Sequence, residues 1–278
     1  RMSSIADFIV HIVKKYNVDV LVLQEIFSKR FYKKLKAALA PIMPSTTGVI
    51  RRAYSNSCWM SFLHKLLHAF SFIGSGVIIF SRHPIVDQQM MLFSEGTFAD
   101  AFAAKGAVAA RIMVNGKLLG VVGTHLQAHD GEVVHRVRVS QVAELAAWIK
   151  TVFPRSETND ENGSYFTDIP VVMAGDFNCC VNNNAEDFED MLGPLSEMFQ
   201  PTFGKRRPEA TFTTTDNDFC EYQNKDAEYD HVYDYIFKQP HIQLLTPQEV
   251  VRDTVIEPVH IRQPCVPAFL SIRAVVGI

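Results

Sequence analysis

Four short apolar runs, each next to an acidic, amide or imidazole side chain, constrain this chain more than any other feature. Their β-branched and aliphatic composition predicts strands that are buried on both faces. A strand of that kind keeps a charged group only where the group is paired or binds a metal, so we expect the polar residues to meet at one rim of a sheet. They are Glu25 after Val20–Leu23, His125 after Gly120–Thr124, Asp176 and Asn178 after Val171–Gly175, and Asp234 within Tyr233–Phe237.

This set of side chains predicts a divalent-metal site that cleaves a phosphoester. Carboxylate and amide oxygens suit a hard cation such as Mg²⁺, which keeps waters for a substrate phosphate. A lone histidine among them indicates phosphate binding or proton transfer rather than zinc. Taken singly, Glu25 fits a solvated strand end, His125 a core histidine, Asp176 and Asn178 loop caps, and Asp234 a structural ion pair. Their joint occurrence favours the site.

The remaining pattern predicts a mixed α/β sandwich with one domain over residues 1–278. Strands outnumber helices, and both hairpin and crossover connections occur without a linker or an internal repeat. Asn115-Gly116 is the strongest hairpin signal, between strands at Val108–Val114 and Leu118–Gly123. Further predicted elements are a helix at Ile5–Val13 capped by Ser3 and Ser4, helices at Ser28–Leu39, Glu132–Val152 and Ala185–Leu192, and strands at Val77–Phe80, Pro170–Ala174 and Phe269–Val276.

Charge, cysteine content and hydropathy argue against a nucleic-acid partner, a disulfide or zinc framework, and a membrane span. The net charge of −3 and the lack of a basic, aromatic-rich groove predict no nucleic-acid partner. The five cysteines form no CxxC pair, so neither a disulfide framework nor a structural zinc site is expected. The apolar stretch Leu66–Phe80 is too interrupted to span a membrane. No signal peptide is readable, which leaves the cellular compartment open.

In their order along the chain these motifs resemble the endonuclease/exonuclease/phosphatase superfamily, the DNase I-like fold. The resemblance implies a four-layer α/β sandwich with two mixed β-sheets. The matching motifs are Leu23-Gln24-Glu25, Thr124-His125-Leu126, Gly175-Asp176-Phe177-Asn178 and Tyr233–Phe237. Within the superfamily the resemblance is strongest to neutral sphingomyelinases. It rests on Gly123–Ala128, on Arg138, Gln141 and Glu144, on Gly76–Ile85, and on Ala99–Gly106.

The resemblance implies a role for each site residue. Glu25 would coordinate Mg²⁺, Asp176 would bind or orient the attacking water, and Asn178 would hold a phosphate oxygen. His125 would hydrogen-bond the phosphate as negative charge develops, and Asp234 would orient a general-base histidine on the last strand. The implied reaction is hydrolysis of a sphingophospholipid, such as sphingomyelin, to ceramide and a phosphorylated headgroup.

The loop Ala99–Gly106 adds two residues to the implied site. In neutral sphingomyelinases an aspartate and a lysine of this loop take part in activation or in engaging the lipid headgroup. The counterparts here are Asp100 and Lys105. The alternative is a polar turn ahead of the strand at Val108.

Two elements of the family pattern are absent from the sequence. The family opens with a strand whose asparagine shares the metal, and this chain begins at the helix that should follow it, so we expect the first strand to be missing. The last strand, Leu270–Val276, has Ser271 but lacks the Asp-His pair that follows it in the family. One alternative is therefore a catalytically impaired relative that binds lipid or has no function. A nuclease of the same superfamily is a second alternative.

A lipid substrate makes contact with a membrane surface an expectation. One segment has near-helical spacing of aromatic and aliphatic residues, interleaved with lysine and histidine. Such a segment fits an interfacial helix or a core-facing helix, and we favour the core. Its apolar residues are Trp59, Phe62, Leu63, Leu66, Leu67 and Phe70.

Overall fold

The computed structural model describes residues 2–48, 75–97, 100, 105–154, 167, 169–203, 208, 210–213 and 230–243. The helices are α1 Met2–Lys15, α2 Lys29–Leu39, α3 Glu132–Val152 and α4 Ala185–Leu192, followed by a 3₁₀ turn at Gly193–Leu195. The strands are β1 Val20–Leu23, β2 Ser45–Thr46, β3 Ile78–Ser81, β4 Ile85–Leu92, β5 Gly106–Val114, β6 Lys117–His125, β7 Val171–Asp176, β8 Gln200–Pro201, β9 Phe212–Thr213, β10 Asp230–His231 and β11 Asp234–Lys238.

Two sheets form the centre of the described fold. The larger has the order β4-β5-β6-β7-β11-β8 and is mixed, because β6 and β7 run parallel while its other neighbours are antiparallel. The smaller has the order β1-β3-β2, with antiparallel pairing. A short ribbon pairs β9 with β10. The predicted mixed α/β fold with two sheets is confirmed.

The apolar side chains of the sheets divide the molecule into four layers. Along β1, Val20 and Val22 pack against the large sheet, whereas Leu21 and Leu23 pack against α1 and α2 on the outer side. This alternation is the two-residue period of a strand. Helices α3 and α4 cover the opposite face of the large sheet. The order of layers is therefore helices, small sheet, large sheet and helices.

Several elements begin or end where the sequence predicts. Helices α3 and α4 have the predicted bounds, and Ser28 caps α2 by accepting a hydrogen bond from the Phe31 N–H at 3.3 Å. The β5–β6 turn places Asn115 and Gly116 at φ 49° and 81°, the left-handed values that a two-residue hairpin requires. The predicted cap of the first helix is wrong, because α1 begins at Met2 and both serines lie inside it.

Some predictions lie outside the described residues. These are the last strand at Phe269–Val276 and the apolar segment Trp59–Phe70. Of the five cysteines, Cys179 and Cys180 are described, and both are buried free thiols. Among the helices the structure describes, none combines the length and apolar character needed to cross a bilayer.

Candidate active site

Three of the predicted site residues lie side by side on adjacent strands. His125 ends β6 and is in register with Asp176, which ends β7. Asp176 is in turn in register with Asp234, the first residue of β11, because β11 runs antiparallel to β7. The His125 Nε2 and the Asp176 Oδ2 are 3.6 Å apart. The large sheet thus brings an imidazole and two carboxylates into one line across three strands.

Lys105 enters this line from the start of β5 and is almost fully buried. Its Nζ lies 3.1 Å from the His125 Nε2 and donates a hydrogen bond of 2.5 Å to the Leu126 carbonyl. It also pairs with the Asp100 carboxylate at 2.8 Å. The same Asp100 oxygen accepts the Ala128 N–H at 2.8 Å. The Asp100–Lys105 pair therefore belongs to the site and holds the chain that follows His125.

Asn178 lies in a turn that aims both its own side chain and that of Asp176. Its backbone N–H donates to the Asp176 Oδ1 at 2.9 Å, and its side-chain amide donates to the Leu126 carbonyl at 3.0 Å. The residue has φ 50°, a left-handed value that asparagine tolerates well. Asn178 and Asp176 remain partly exposed, whereas His125 and Lys105 are buried. The first two therefore present the accessible part of the site.

Glu25 reaches the site from the small sheet, just beyond the end of β1. It has φ 58°, and the next residue, Ile26, donates its N–H to the Gly76 carbonyl at 3.0 Å. A Cβ added to Gly76 would lie 2.8 Å from the Ile26 nitrogen and 2.9 Å from the Glu25 Cα. Gly76 itself has φ 68°. The turn that presents Glu25 therefore depends on a close backbone approach that only glycine permits.

Burial and nearby charge shift the pKa of two groups in opposite directions. Burial, reinforced by the Lys105 ammonium, holds the pKa of His125 well below its usual value, so the ring is neutral near pH 7. Burial raises the pKa of Asp176 to about 7, and the carboxylates of Glu25 and Asp100 add to this. Lys105 and the Asn178 N–H oppose the rise. Asp176 is therefore poised to exchange a proton near neutral pH.

The other two carboxyl groups are shifted in the same direction as Asp176. Burial and then the Asp176 carboxylate raise the pKa of Asp234 well above its usual value, and a hydrogen bond with the Thr211 side chain opposes the rise. Burial raises the pKa of Glu25, with Lys105 opposing it. Each carboxylate destabilises the ionised form of its neighbours, so the site has an excess of negative charge.

The donor set fits a divalent cation. Glu25, Asp100 and Asp176 interact electrostatically with one amine, Lys105. Asp234 interacts with Asp176 and Glu25. An added positive charge would relieve the repulsion among these carboxylates. Within the described part of the chain, no three His, Cys, Asp or Glu side chains form a ready-made metal cage. Proteins often hold Mg²⁺ through one or two carboxylates while it keeps its waters.

Buried polar side chains of α3 fix the segment that follows His125. The Gln127 N–H donates to the Gln141 side chain at 2.9 Å, and the Arg138 guanidinium donates to the carbonyls of Gln127 at 3.2 Å and of His129 at 2.6 Å. The Gln141 amide also donates to the Glu95 carbonyl at 2.8 Å. Arg138 and Gln141, which the family resemblance included without a role, therefore support the loop behind the site.

Thr211 is a site residue that the sequence did not indicate. Its hydroxyl oxygen accepts the N–H groups of Tyr233 at 3.0 Å and of Asp234 at 3.2 Å. It lies in a threonine-rich stretch with no motif, and its role becomes visible only when β11 and this stretch come together. The histidine that Asp234 was predicted to orient belongs to the last strand, outside the described residues.

Comparison with known proteins shows which family profile, relatives and folds this chain resembles. Residues 6–239 match the sequence profile of the Endonuclease/Exonuclease/phosphatase family. Sphingomyelinase C of Bacillus cereus is 29% identical over 228 residues, which cover 79% of this chain and 63% of that protein. The chain therefore spans less than two thirds of the length of this relative.

Two solved structures extend the comparison to the fold. Sphingomyelinase C from Streptomyces griseocarneus has a TM-score of 0.65 at 23% identity, covering 84% of this chain and 76% of its own. A beta toxin mutant from Staphylococcus aureus with bound magnesium ions has a TM-score of 0.68 at 22% identity, covering 96% and 86%. At these identities the likeness is one of fold.

Proposed function

The chain belongs to the endonuclease/exonuclease/phosphatase family, and we propose that it is a phosphodiesterase that hydrolyses sphingomyelin or a related sphingophospholipid to ceramide and a phosphorylated headgroup. The observation that carries the proposal is the line of His125, Asp176 and Asp234 across three strands, with Lys105 3.1 Å from the histidine ring. The substrate class follows from the relative named sphingomyelinase C, at 29% identity.

The proposed mechanism is in-line attack of water on the phosphorus, which breaks the bond between phosphorus and the ceramide oxygen. The ceramide oxygen leaves as an alkoxide and takes a proton from solvent water. Glu25 is the residue that would hold Mg²⁺, which neutralises charge on the phosphate when bound. Asp176, with a pKa of about 7, orients the water and accepts a proton from it. Neutral His125 donates a ring N–H to a phosphate oxygen, and the Lys105 ammonium adds positive charge behind it. The Asn178 amide holds a second phosphate oxygen.

The test is a headgroup-release assay on sphingomyelin, run with Mg²⁺ and with a chelator. We expect Glu25→Ala and His125→Ala each to lower kcat about 10²-fold or more, since each removes a group that acts on transition-state charge. Glu189→Ala, which removes an exposed carboxylate on α4, is the matched control and should leave kcat unchanged.

The same assay, run beside DNA nicking, separates the alternatives. Lipid turnover that survives both Glu25→Ala and His125→Ala contradicts this mechanism. Nicking without lipid turnover assigns the site to a nuclease. Silence on both substrates favours a catalytically impaired relative, as the missing Asp-His near Ser271 suggests.

A further inference from the structure

Helix α2 concentrates positive charge on the surface next to Glu25. Its sequence has five cations and no acidic residue, in a chain whose net charge is −3. All five cationic residues are exposed. They are Lys29, Arg30, Lys33, Lys34 and Lys36.

The stability of the helix does not explain this charge pattern. Lys29 and Arg30 occupy the first turn, where the helix dipole is already positive and acidic residues are favoured. Lys29 with Lys33, and Arg30 with Lys34, are like charges four residues apart, which destabilises a helix. None of these side chains forms an ion pair with any residue that the structure describes. A negatively charged binding partner would compensate them.

The position of α2 places the start of this cationic helix near the rim of the site. Phe31, Leu35 and Leu39 bury the inner face of the helix against the small sheet, so its cations point outward. The helix begins four residues after Glu25, and Phe27, between them, is 40% exposed. An exposed aromatic ring and a cationic helix start therefore lie together beside the residue proposed to hold the metal.

We propose that Phe27, Lys29, Arg30, Lys33 and Lys34, here called the α2 face, dock the protein on a bilayer that contains anionic lipids. The cations neutralise the headgroup charge, and the Phe27 ring enters the headgroup layer, as interfacial helices do. Docking holds the rim with Glu25 against the surface. The choice of a membrane over another polyanion rests on the proposed function, because a sphingophospholipid substrate is reached at a bilayer.

Vesicle co-sedimentation tests the α2 face without any turnover. The vesicles are phosphatidylcholine with and without phosphatidylserine, and none contains sphingomyelin. Lys33→Gln/Lys34→Gln lowers the net charge by two, and so does the control Lys117→Glu, at the end of β6 opposite His125. We expect the double variant to weaken binding to the phosphatidylserine vesicles about tenfold or more, and the control to bind like the wild type. Phe27→Ser should weaken binding further.

Three results would overturn the proposal. The first is an equal loss of vesicle binding in the double variant and in the control. The second is binding that does not depend on phosphatidylserine. The third is tighter binding to single-stranded DNA than to the vesicles, weakened by the same α2 substitutions.

An assay of sphingomyelin turnover in detergent micelles distinguishes failure of this proposal from failure of the proposed function. We expect the double variant to turn over micellar substrate at the wild-type rate. If the wild type binds vesicles but does not hydrolyse micellar sphingomyelin, the proposed catalytic function is wrong and the docking proposal stands.

Discussion

At the scale of single residues, the positive charge of Lys105 stabilises a cluster of carboxylates that lies beside the buried His125. Its ammonium pairs with Asp100 at 2.8 Å and lowers the pKa of Asp176, against the effect of burial. The Lys105 side chain is 5% exposed, so its partners within the protein, rather than water, compensate its positive charge.

We expect Lys105→Met to lower the free energy of unfolding by about 3 kcal/mol, because it leaves the Asp100 carboxylate without its cation. The double variant Asp100→Asn/Lys105→Met removes both charges and should recover about 1–2 kcal/mol of that loss. Urea denaturation of the wild type, Asp100→Asn, Lys105→Met and the double variant measures this coupling. Strictly additive effects would show that the pair contributes nothing to stability.

His125 gives the fold a pH dependence of known sign. Its pKa in the folded state lies well below its usual value of 6.5, so below about pH 6.5 the unfolded chain binds a proton that the folded chain does not. Stability linked to His125 is therefore present above pH 6.5 and is lost as the pH falls. The neighbouring carboxyl groups have raised pKa values, so their contribution to stability increases as the pH falls. This contribution is the same in the wild type and in a variant that lacks only His125.

We expect His125→Asn to remove this dependence. Between pH 7 and pH 5.5, in the presence of a chelator, the wild type should lose about 1 kcal/mol of stability relative to the variant. Urea denaturation at a series of pH values, with the difference taken at each one, is the measurement. Parallel curves would mean that His125 takes up a proton in the folded protein as readily as in the unfolded chain.

At the scale of elements, the turn between β1 and α2 determines where the Glu25 carboxylate points. Gly76 has φ 68° and approaches the Ile26 nitrogen, so Gly76→Ala combines backbone strain with a clash. Gly116 has φ 81°, with nothing within 4 Å of an added Cβ, so Gly116→Ala is a matched control for strain alone.

We expect Gly116→Ala to cost about 1 kcal/mol and Gly76→Ala about 2–4 kcal/mol of unfolding free energy. If Glu25 holds Mg²⁺ as proposed, Mg²⁺ should raise the Tm of the wild type, and Gly76→Ala should abolish that rise because Glu25 is displaced. Thermal unfolding with and without Mg²⁺ measures both effects. An unchanged Mg²⁺ response in Gly76→Ala would place the cation away from Glu25.

Elements with strong local signals were predictable from the sequence, and those set by their neighbours were not. The periodic helix α3 and the Asn115-Gly116 hairpin needed only local information. Strand β4, Ile85–Leu92, escaped prediction because the middle of this edge strand is exposed and does not alternate. The Lys105–His125 contact also escaped prediction, since it depends on the pairing of β5 with β6.

At the scale of the whole molecule, the candidate site straddles the two sheets. Glu25 follows a strand of the small sheet, whereas His125, Asp176 and Asp234 lie on the large one. The apolar layer between the sheets therefore sets the separation of the proposed metal-holding residue from the other groups. Apolar runs predict that such a layer exists, but the contacts that fix its spacing depend on how the sheets stack.

Gly123 is one such contact. A Cβ at this position would lie 2.8 Å from the Val22 Cγ1 and 3.1 Å from the Val77 Cγ1, so Gly123→Ala should push the two sheets apart. If the proposed function holds, we expect kcat to fall about tenfold or more, because a small misplacement of catalytic groups has a large effect on rate. Stability should fall by about 1–3 kcal/mol.

Val22→Ala creates the space that the added methyl group needs. The double variant Gly123→Ala/Val22→Ala should recover most of the lost kcat, although Val22→Ala alone leaves a cavity and lowers stability. Recovery of rate without recovery of stability would show that sheet spacing, rather than general loosening, controls the site. If the double variant is as slow as Gly123→Ala, then the two sheets do not position Glu25 through this contact.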